Sequence, residues 1–307
     1  METDCIGTMR LDEMRGHVGQ HPGFLAALDQ SGGSTPGALR AYGIPETDYS
    51  NDDEMFALMH AMRVRIITAA SFTGDRVIGT ILFERTMRGD VNGTPVPTYL
   101  REQRGSVPFL KIDKGLEDAS DGVQLMKPIP GLDSLLKDAA GFGVFGTKER
   151  SVIAHASQSG IQAIVDQQFE IGRQVASHGL VPILEPEVSI KAPDKAQAEQ
   201  MLFDALMAGA DKWTGDVPFM VKITIPDKTD LYAPLIAHAN VLRVVALSGG
   251  YERDDACARL AKNHNLIASF SRALVEGLTR GMSDADFDAR LGATIAEIYQ
   301  ASTVKGS

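Results

Sequence analysis

The feature that most restricts the fold is a repeating alternation. Eight short apolar runs of four to seven residues are separated by longer segments with helical periodicity. The runs occupy residues 23–28, 77–83, 109–112, 143–146, 181–184, 219–223, 242–247 and 266–270. Pro22, Pro108, Pro182 and Pro218 stand at or just before the start of their runs, where a missing ladder donor is tolerated. Between runs, Ile161, Ile164, Val165, Phe169, Gly172 and Ala176 mark one helix face. Asn51 and Asp52 can cap a helix reaching about residue 70, and residues 194–210, rich in Ala, Glu and Gln, read as another.

Strands that are apolar throughout are buried on both faces, which requires a parallel sheet covered by helices. Eight of them in 307 residues predict an α/β fold, a (β/α)8 TIM barrel forming a single domain over residues 1–307. An N-terminal extension (about 1–21) and a C-terminal helix and tail (about 283–307) flank it, with 302–307 expected to fray. A doubly wound sheet would carry a G-x-G-x-x-G turn after its first strand. Here that position reads Asp29-Gln30-Ser31-Gly32-Gly33-Ser34, which is not that fingerprint.

Charge narrows the partners. Thirty basic against forty acidic residues give a net charge of −10, and no Lys/Arg stripe exists, so no nucleic-acid partner is expected. No run of about 18 apolar residues predicts a membrane span. Cys5 and Cys257 are too few and too far apart for a disulfide framework or metal knuckle. The acidic start Met1-Glu2-Thr3-Asp4-Cys5 lacks the apolar core of a signal peptide. The expectation is a reducing, cytoplasmic compartment.

Barrel chemistry sits at the carboxyl ends of the strands. Polar residues interrupt the runs there: Asp29 with Ser31 and Ser34, Lys111 with Asp113, Lys148 with Arg150, Glu185 with Glu187, Lys222, Ser248-Gly249-Gly250, and Ser271-Arg272. Each alone has a plain explanation: a lysine snorkelling outward, a solvated Glu-Pro-Glu loop, a Ser-Gly-Gly turn. Charged side chains are rarely buried unless paired, so their recurrence at successive strand ends is better explained by one shared rim. Three lysines and an arginine among carboxylates suit an anionic substrate. Ser-Gly-Gly after strand seven and Ser-Arg after strand eight occupy a barrel's usual phosphate corner. A lysine desolvated in an apolar strand can act as a neutral amine towards a carbonyl, with Glu185 as acid–base partner. This points to Schiff-base chemistry on a phosphorylated ketone.

The chain resembles the class I (Schiff-base-forming) fructose-1,6-bisphosphate aldolases, in their short bacterial or archaeal form. Matching stretches span residues 24 to about 274. They include Leu28-Asp29-Gln30-Ser31-Gly32-Gly33-Ser34, Lys111-Ile112-Asp113-Lys114-Gly115, Lys148-Glu149-Arg150, Leu184-Glu185-Pro186-Glu187, Val221-Lys222, Leu247-Ser248-Gly249-Gly250 and Ser269-Phe270-Ser271-Arg272. The resemblance implies reversible cleavage of fructose 1,6-bisphosphate to dihydroxyacetone phosphate and glyceraldehyde 3-phosphate. Lys222 would form the imine at C2. Glu185 would move protons during carbinolamine formation and collapse, and Glu187 would support Lys222. Asp29 would take the C4 hydroxyl proton, and Lys148 would polarise the hydroxyls. Ser31, Ser34 and Lys111 would bind the C6 phosphate, with Arg150 among the binding residues. Ser248, Gly249, Gly250, Ser271 and Arg272 would hold the phosphate on the dihydroxyacetone half. The iminium would serve as electron sink, so no cofactor or metal is expected. Phosphosugars are the expected partners, with homo-oligomerisation open.

Four positions depart from the animal enzymes: Gln30 for Glu, Glu149 for Trp, Phe270 for Tyr and Ser271 for Gly. The sequence also ends soon after the helix containing Tyr299, without their long tail. Three rival readings fit the sequence less well. A metal-dependent aldolase needs paired ligands, yet His17, His21, His60, His155, His178, His238 and His264 show no zinc-like spacing near a strand end. Other Schiff-base barrels lack this arrangement of Glu-Pro-Glu followed by Lys222 on the next strand. An inactive scaffold would not need Lys222, Glu185 and Asp29 together.

Overall fold

The computed structural model describes residues 9–306. Cys5 and the acidic N-terminal pentapeptide lie outside the described residues. Eight parallel strands form the barrel: β1 (Phe24–Leu28), β2 (Val77–Leu82), β3 (Val107–Lys111), β4 (Gly146–Ile153), β5 (Val181–Val188), β6 (Phe219–Thr224), β7 (Val241–Leu247) and β8 (Ile267–Phe270). Each pairs with its neighbours in sequence, and β8 pairs back to β1, so the sheet closes.

Alternation along each strand builds two apolar cores. Leu25, Ile78, Phe109, Ile183, Met220, Val245 and Ile267 point inward and fill the lower barrel. Helix α1 (Leu11–Gln20) contributes Met14 and Val18 to this inner cluster and so plugs the bottom. The outward residues pack under the surrounding helices. Helix α2 (Asp52–Thr68) is capped as expected, the Asn51 side chain accepting from the Glu54 amide at 3.0 Å. Helix α3 (Gln158–Ser177) buries Ile161, Ile164, Val165 and Phe169, the face read from its periodicity. Helix α4 (Lys195–Asp211) follows β5.

Two expectations need correction. The fourth strand is not residues 143–146; residues 143–145 lead into it. It is Gly146–Ile153, with Lys148, Glu149 and Arg150 inside the strand. An apolar run cannot mark this strand because its inward face at that height belongs to the polar layer. Gly146 opens it for a steric reason: a Cβ there would lie 2.1 Å from the Val181 carbonyl oxygen. The second correction is at the C-terminus. Helix α5 (Asp284–Thr303) and residues 304–306 are docked rather than frayed, Ser307 lying outside the described residues. Ser302 Oγ accepts from the Ala268 amide at 3.1 Å, and Lys305 Nζ donates to the carbonyls of Leu260, Leu266 and Ala301.

Phe109 meets Phe145 edge-on, their ring centroids 5.5 Å apart, at the centre of the inner core. Truncating a buried Phe leaves a cavity that a closed barrel cannot collapse to fill. Phe109→Ala should therefore lower stability by about 3–5 kcal/mol, read as a lower midpoint in urea unfolding followed by circular dichroism.

Candidate active site

Above the apolar layers, the inward positions turn polar within one or two steps of the strand period. On β3 the inward series runs Phe109, Lys111, Asp113; on β4, Gly146, Lys148, Arg150; on β5, Ile183, Glu185, Glu187; on β6, Met220, Lys222. Asp29 follows β1, Ser248-Gly249-Gly250 follow β7, and Ser271-Arg272 follow β8. The polar members of these series, with Asp29, Ser31, Ser34 and the segments after β7 and β8, all line one cavity of about 1210 Å³ at the carboxyl ends of the strands.

Lys148 is the electrostatic centre. Its Nζ lies 2.7 Å from Asp29 Oδ2, 2.8 Å from Glu185 Oε2 and 3.8 Å from Asp113 Oδ2. Burial alone would favour the neutral amine, but Asp29, Glu185 and Asp113 together push its pKa above the ordinary lysine value. The same contacts act in reverse on the acids. Burial would raise the Asp29 carboxyl, yet Lys148, Lys222 and Lys111 hold it well below the usual carboxylate range. Glu185 is likewise lowered, burial being outweighed by Lys148 and Lys222. Both carboxylates are therefore ionised in a buried setting.

Lys222 rises from β6 with a single carboxylate in contact among the described residues: Glu185 Oε1 at 2.9 Å. Glu185 thus bridges two lysines, one through each oxygen. Glu187 pairs with Arg150 on the neighbouring strand. Lys111 is held by its own strand end, donating to Asp113 Oδ1 at 2.6 Å and to the Asp113 carbonyl at 2.9 Å.

The rim holds the glycine-rich and hydroxyl-bearing segments. Gly249 and Gly250 have φ of +63° and +113°, and a Cβ on Gly249 would lie 2.6 Å from the Ile190 side chain. Only glycine fits there, and it leaves the backbone open to a ligand. Arg272 is exposed beside it, with no carboxylate in ion-pair distance among the described residues. Ser31 and Ser34 bond to each other around a short 3-10 turn, Ser34 Oγ accepting from the Ser31 amide at 3.1 Å.

Sequence reasoning under-weighted four residues here. Asp113, placed at the rim, links two lysines. Ser269 presents to the cavity a buried hydroxyl with no hydrogen-bond partner among the described residues. Arg63, from α2, is fully buried behind the site. Glu149 points outward from β4, where burial and the Asp113 charge push its carboxyl well above the usual range. The period of two could have flagged Asp113 and Ser269. A helical Arg63 carries no such signal.

Comparison with known proteins agrees with this geometry. Residues 24–216 match the family model for class I fructose-bisphosphate aldolase. The chain belongs to that family. It is 57% identical over 282 residues to fructose-bisphosphate aldolase class 1 of Synechocystis sp., covering 92% of this chain and 94% of that one. It is 56% identical over 293 residues to the enzyme of the same name from Porphyromonas gingivalis, covering 95% and 98%. A solved Plasmodium falciparum fructose-bisphosphate aldolase superposes with a TM-score of 0.77 over 100% of this chain and 98% of its own, at 19% identity, a likeness of fold. The protein is thus a class I aldolase, a lyase that cleaves fructose 1,6-bisphosphate through a lysine imine. No helix among the described residues is long and apolar enough to cross a membrane.

The aldolase's buried charge cluster makes a pH-dependent prediction. Removing Lys148 strands Asp29, Glu185 and Asp113 as neighbouring buried acids, and breaking a buried pair costs about 3–5 kcal/mol. The stability owed to the lowered Asp29 and Glu185 values is present above their unfolded pKa values, near 4, and is lost as pH falls through the folded ones. In Lys148→Met those acids lose their cation and gain stability on protonation. The difference in thermal midpoint between parent and variant should therefore be largest near pH 7 and narrow towards pH 4.5. A gap that widens in acid would contradict this charge arrangement.

Proposed function

We propose that Lys222 is the imine-forming residue and Glu185 its proton partner. The observation that carries this reading is the inequality of the three inward lysines. Lys148 is held as an ammonium by three carboxylates, and Lys111 is bound twice by Asp113. Lys222 meets one carboxylate, whose other oxygen is anchored to Lys148. Glu185 is ionised, so it can accept the Lys222 proton. The freed amine attacks the C2 carbonyl, forming the C–N bond. Glu185 then returns the proton to the carbinolamine hydroxyl, which leaves as water. The resulting iminium withdraws electrons from the C3–C4 bond.

Asp29 is the proposed base for the C4 hydroxyl. It is ionised, buried and fixed by Lys148, which also donates towards the substrate hydroxyls. When C3–C4 breaks, the electron pair passes into the enamine and the aldehyde half leaves. Lys111, Ser31 and Ser34 are assigned to the C6 phosphate, and Arg150, tied to Glu187, to the sugar between. Ser248, Gly249, Gly250, Ser271 and Arg272 are assigned to the other phosphate, supported by exposed backbone and a free guanidinium. Residence in the cytoplasm and assembly into a homo-oligomer complete the proposal. Sedimentation velocity reads the assembly.

Borohydride added with dihydroxyacetone phosphate should reduce the imine and leave a covalent adduct on the peptide containing Lys222. Lys222→Met should abolish both adduct and turnover; an adduct on Lys148 or Lys111 would overturn the assignment.

The two carboxylates should separate in time, because imine formation precedes bond cleavage. General acid–base groups contribute roughly 10²–10⁴ in rate. Glu185→Gln should slow borohydride trapping itself. Asp29→Asn should trap the intact six-carbon adduct at near-normal rate but fail to cleave it, as read by rapid quench and intact mass. The opposite pattern would mean the two roles are exchanged.

A further inference from the structure

Arg63 is a charge out of place. It projects from α2, is 1% exposed, and has no carboxylate in ion-pair distance among the described residues. Burial lowers its guanidinium pKa to about 10, the Asp29 charge opposing that shift. A buried, unpaired guanidinium is a poor stabilising device, because desolvation is not offset by an anion. Its contacts show what it holds. Nη1 donates to Thr86 Oγ1, just beyond β2, at 2.7 Å. Nη2 donates to the backbone carbonyl of Gln30 and, at 3.5 Å, to Gln30 Oε1.

These contacts fix the polarity of the Gln30 amide. A guanidinium offers donors only, so the Gln30 side that faces it must be the oxygen. The amide nitrogen then faces the other way, and Gln30 Nε2 lies 2.7 Å from Ser271 Oγ, between the adjacent ends of β1 and β8. Ser271 Oγ therefore accepts this bond, and its own hydroxyl proton is left to donate. Gln30 and Ser271 are two of the four departures from the animal enzymes, and here they meet each other. A glutamate at position 30 would accept instead. It would draw the Ser271 proton to itself and place a negative charge at the phosphate corner.

We propose that Arg63 and Gln30 are positioning residues that aim the Ser271 hydroxyl, as a donor, at the phosphate of the dihydroxyacetone half. The donor direction runs Arg63 to Gln30 to Ser271 to phosphate oxygen. This rests on the assignment of the Ser248–Gly250 and Ser271–Arg272 corner to that phosphate.

The test is borohydride trapping of the imine, titrated in parallel with dihydroxyacetone phosphate and with dihydroxyacetone. The readout is the ratio of their half-saturating concentrations, which isolates phosphate recognition from folding and from the amine chemistry. Gln30→Glu, a near-isosteric change at a half-buried site, should cut the preference for the phosphorylated ligand about tenfold or more, the scale of a hydrogen bond to a charged group. Arg63→Gln should cut it in the same direction, with partial recovery in Arg63→Lys. In a Ser271→Ala background, where the relay has no terminus, Arg63→Gln should cause no further loss. An undiminished preference in Gln30→Glu, or an equal Arg63→Gln effect with and without the Ser271 hydroxyl, would overturn the relay alone. If Arg63→Gln fails to fold, the same cycle run with Gln30→Glu and Ser271→Ala decides the question. A parent enzyme with no preference between the two ligands would overturn the phosphate corner, and the relay with it.

Discussion

The upper half of this barrel is organised around one buried ammonium. Lys148 reaches the ends of β1, β3 and β5 through Asp29, Asp113 and Glu185. Without a cation at that point, three acids would share a desolvated space, and at least one would take up a proton. With it, Asp29 and Glu185 stay ionised although nearly inaccessible to water. The cluster thus supplies two ionised carboxylates in a low-dielectric pocket, where their charges act more strongly on a nearby proton or cation than they would in water. It also distinguishes the lysines. Because Lys148 takes three partners, Glu185 has one oxygen left for Lys222.

The barrel's geometry supplies the rest. Side chains inside alternate strands stack in layers, and the lower layers here are wholly apolar and sealed by α1. Charge begins where the packed core ends. Lys111 and Lys148 are direct neighbours in register on β3 and β4, an arrangement that repels unless an anion lies between. Asp113, two residues beyond Lys111, is that anion. The charged layer is therefore rigid from below and neutralised from within. Its carboxylates and amines are held at fixed separations before any ligand arrives.

Most of this was legible in the sequence because barrel strands announce themselves as apolar runs and the chemistry interrupts them. Lys222 stood out within Phe219-Met220-Val221-Lys222-Ile223 because nothing else polar did. Glu185 and Glu187 were separable from a loop only by their period and their place among other strand ends. The same rule misplaced β4, whose second inward residue is already Lys148. It also could not predict that Glu187 would choose Arg150, whose partner in cross-strand register is Glu185, two residues earlier on the same face. Arg63 was invisible, being one arginine on a helix with no reason in the pattern to face inward. The docked C-terminus was missed for a related reason. Ser302 and Lys305 satisfy backbone groups of other segments, and such partners cannot be read from local composition.

The cations around the cavity are not equally available, and this bears on how a doubly phosphorylated sugar would seat itself. Lys111 is bound to Asp113 and Arg150 to Glu187, so an anion approaching either must compete with a carboxylate already in place. Among the described residues Arg272 has no such competitor, and Gly249 and Gly250 beside it carry no side chain of their own over the backbone. Under the assigned roles, the corner that recognises the dihydroxyacetone phosphate is pre-organised, while the C6 corner is internally compensated. The free energy of capture then comes mainly from the half of the substrate that carries the reacting carbonyl. Anchoring that half sets C2 against Lys222. The other half is held by cations that can return to their own carboxylates once the bond is cut, which favours release of the aldehyde while the enamine remains bound.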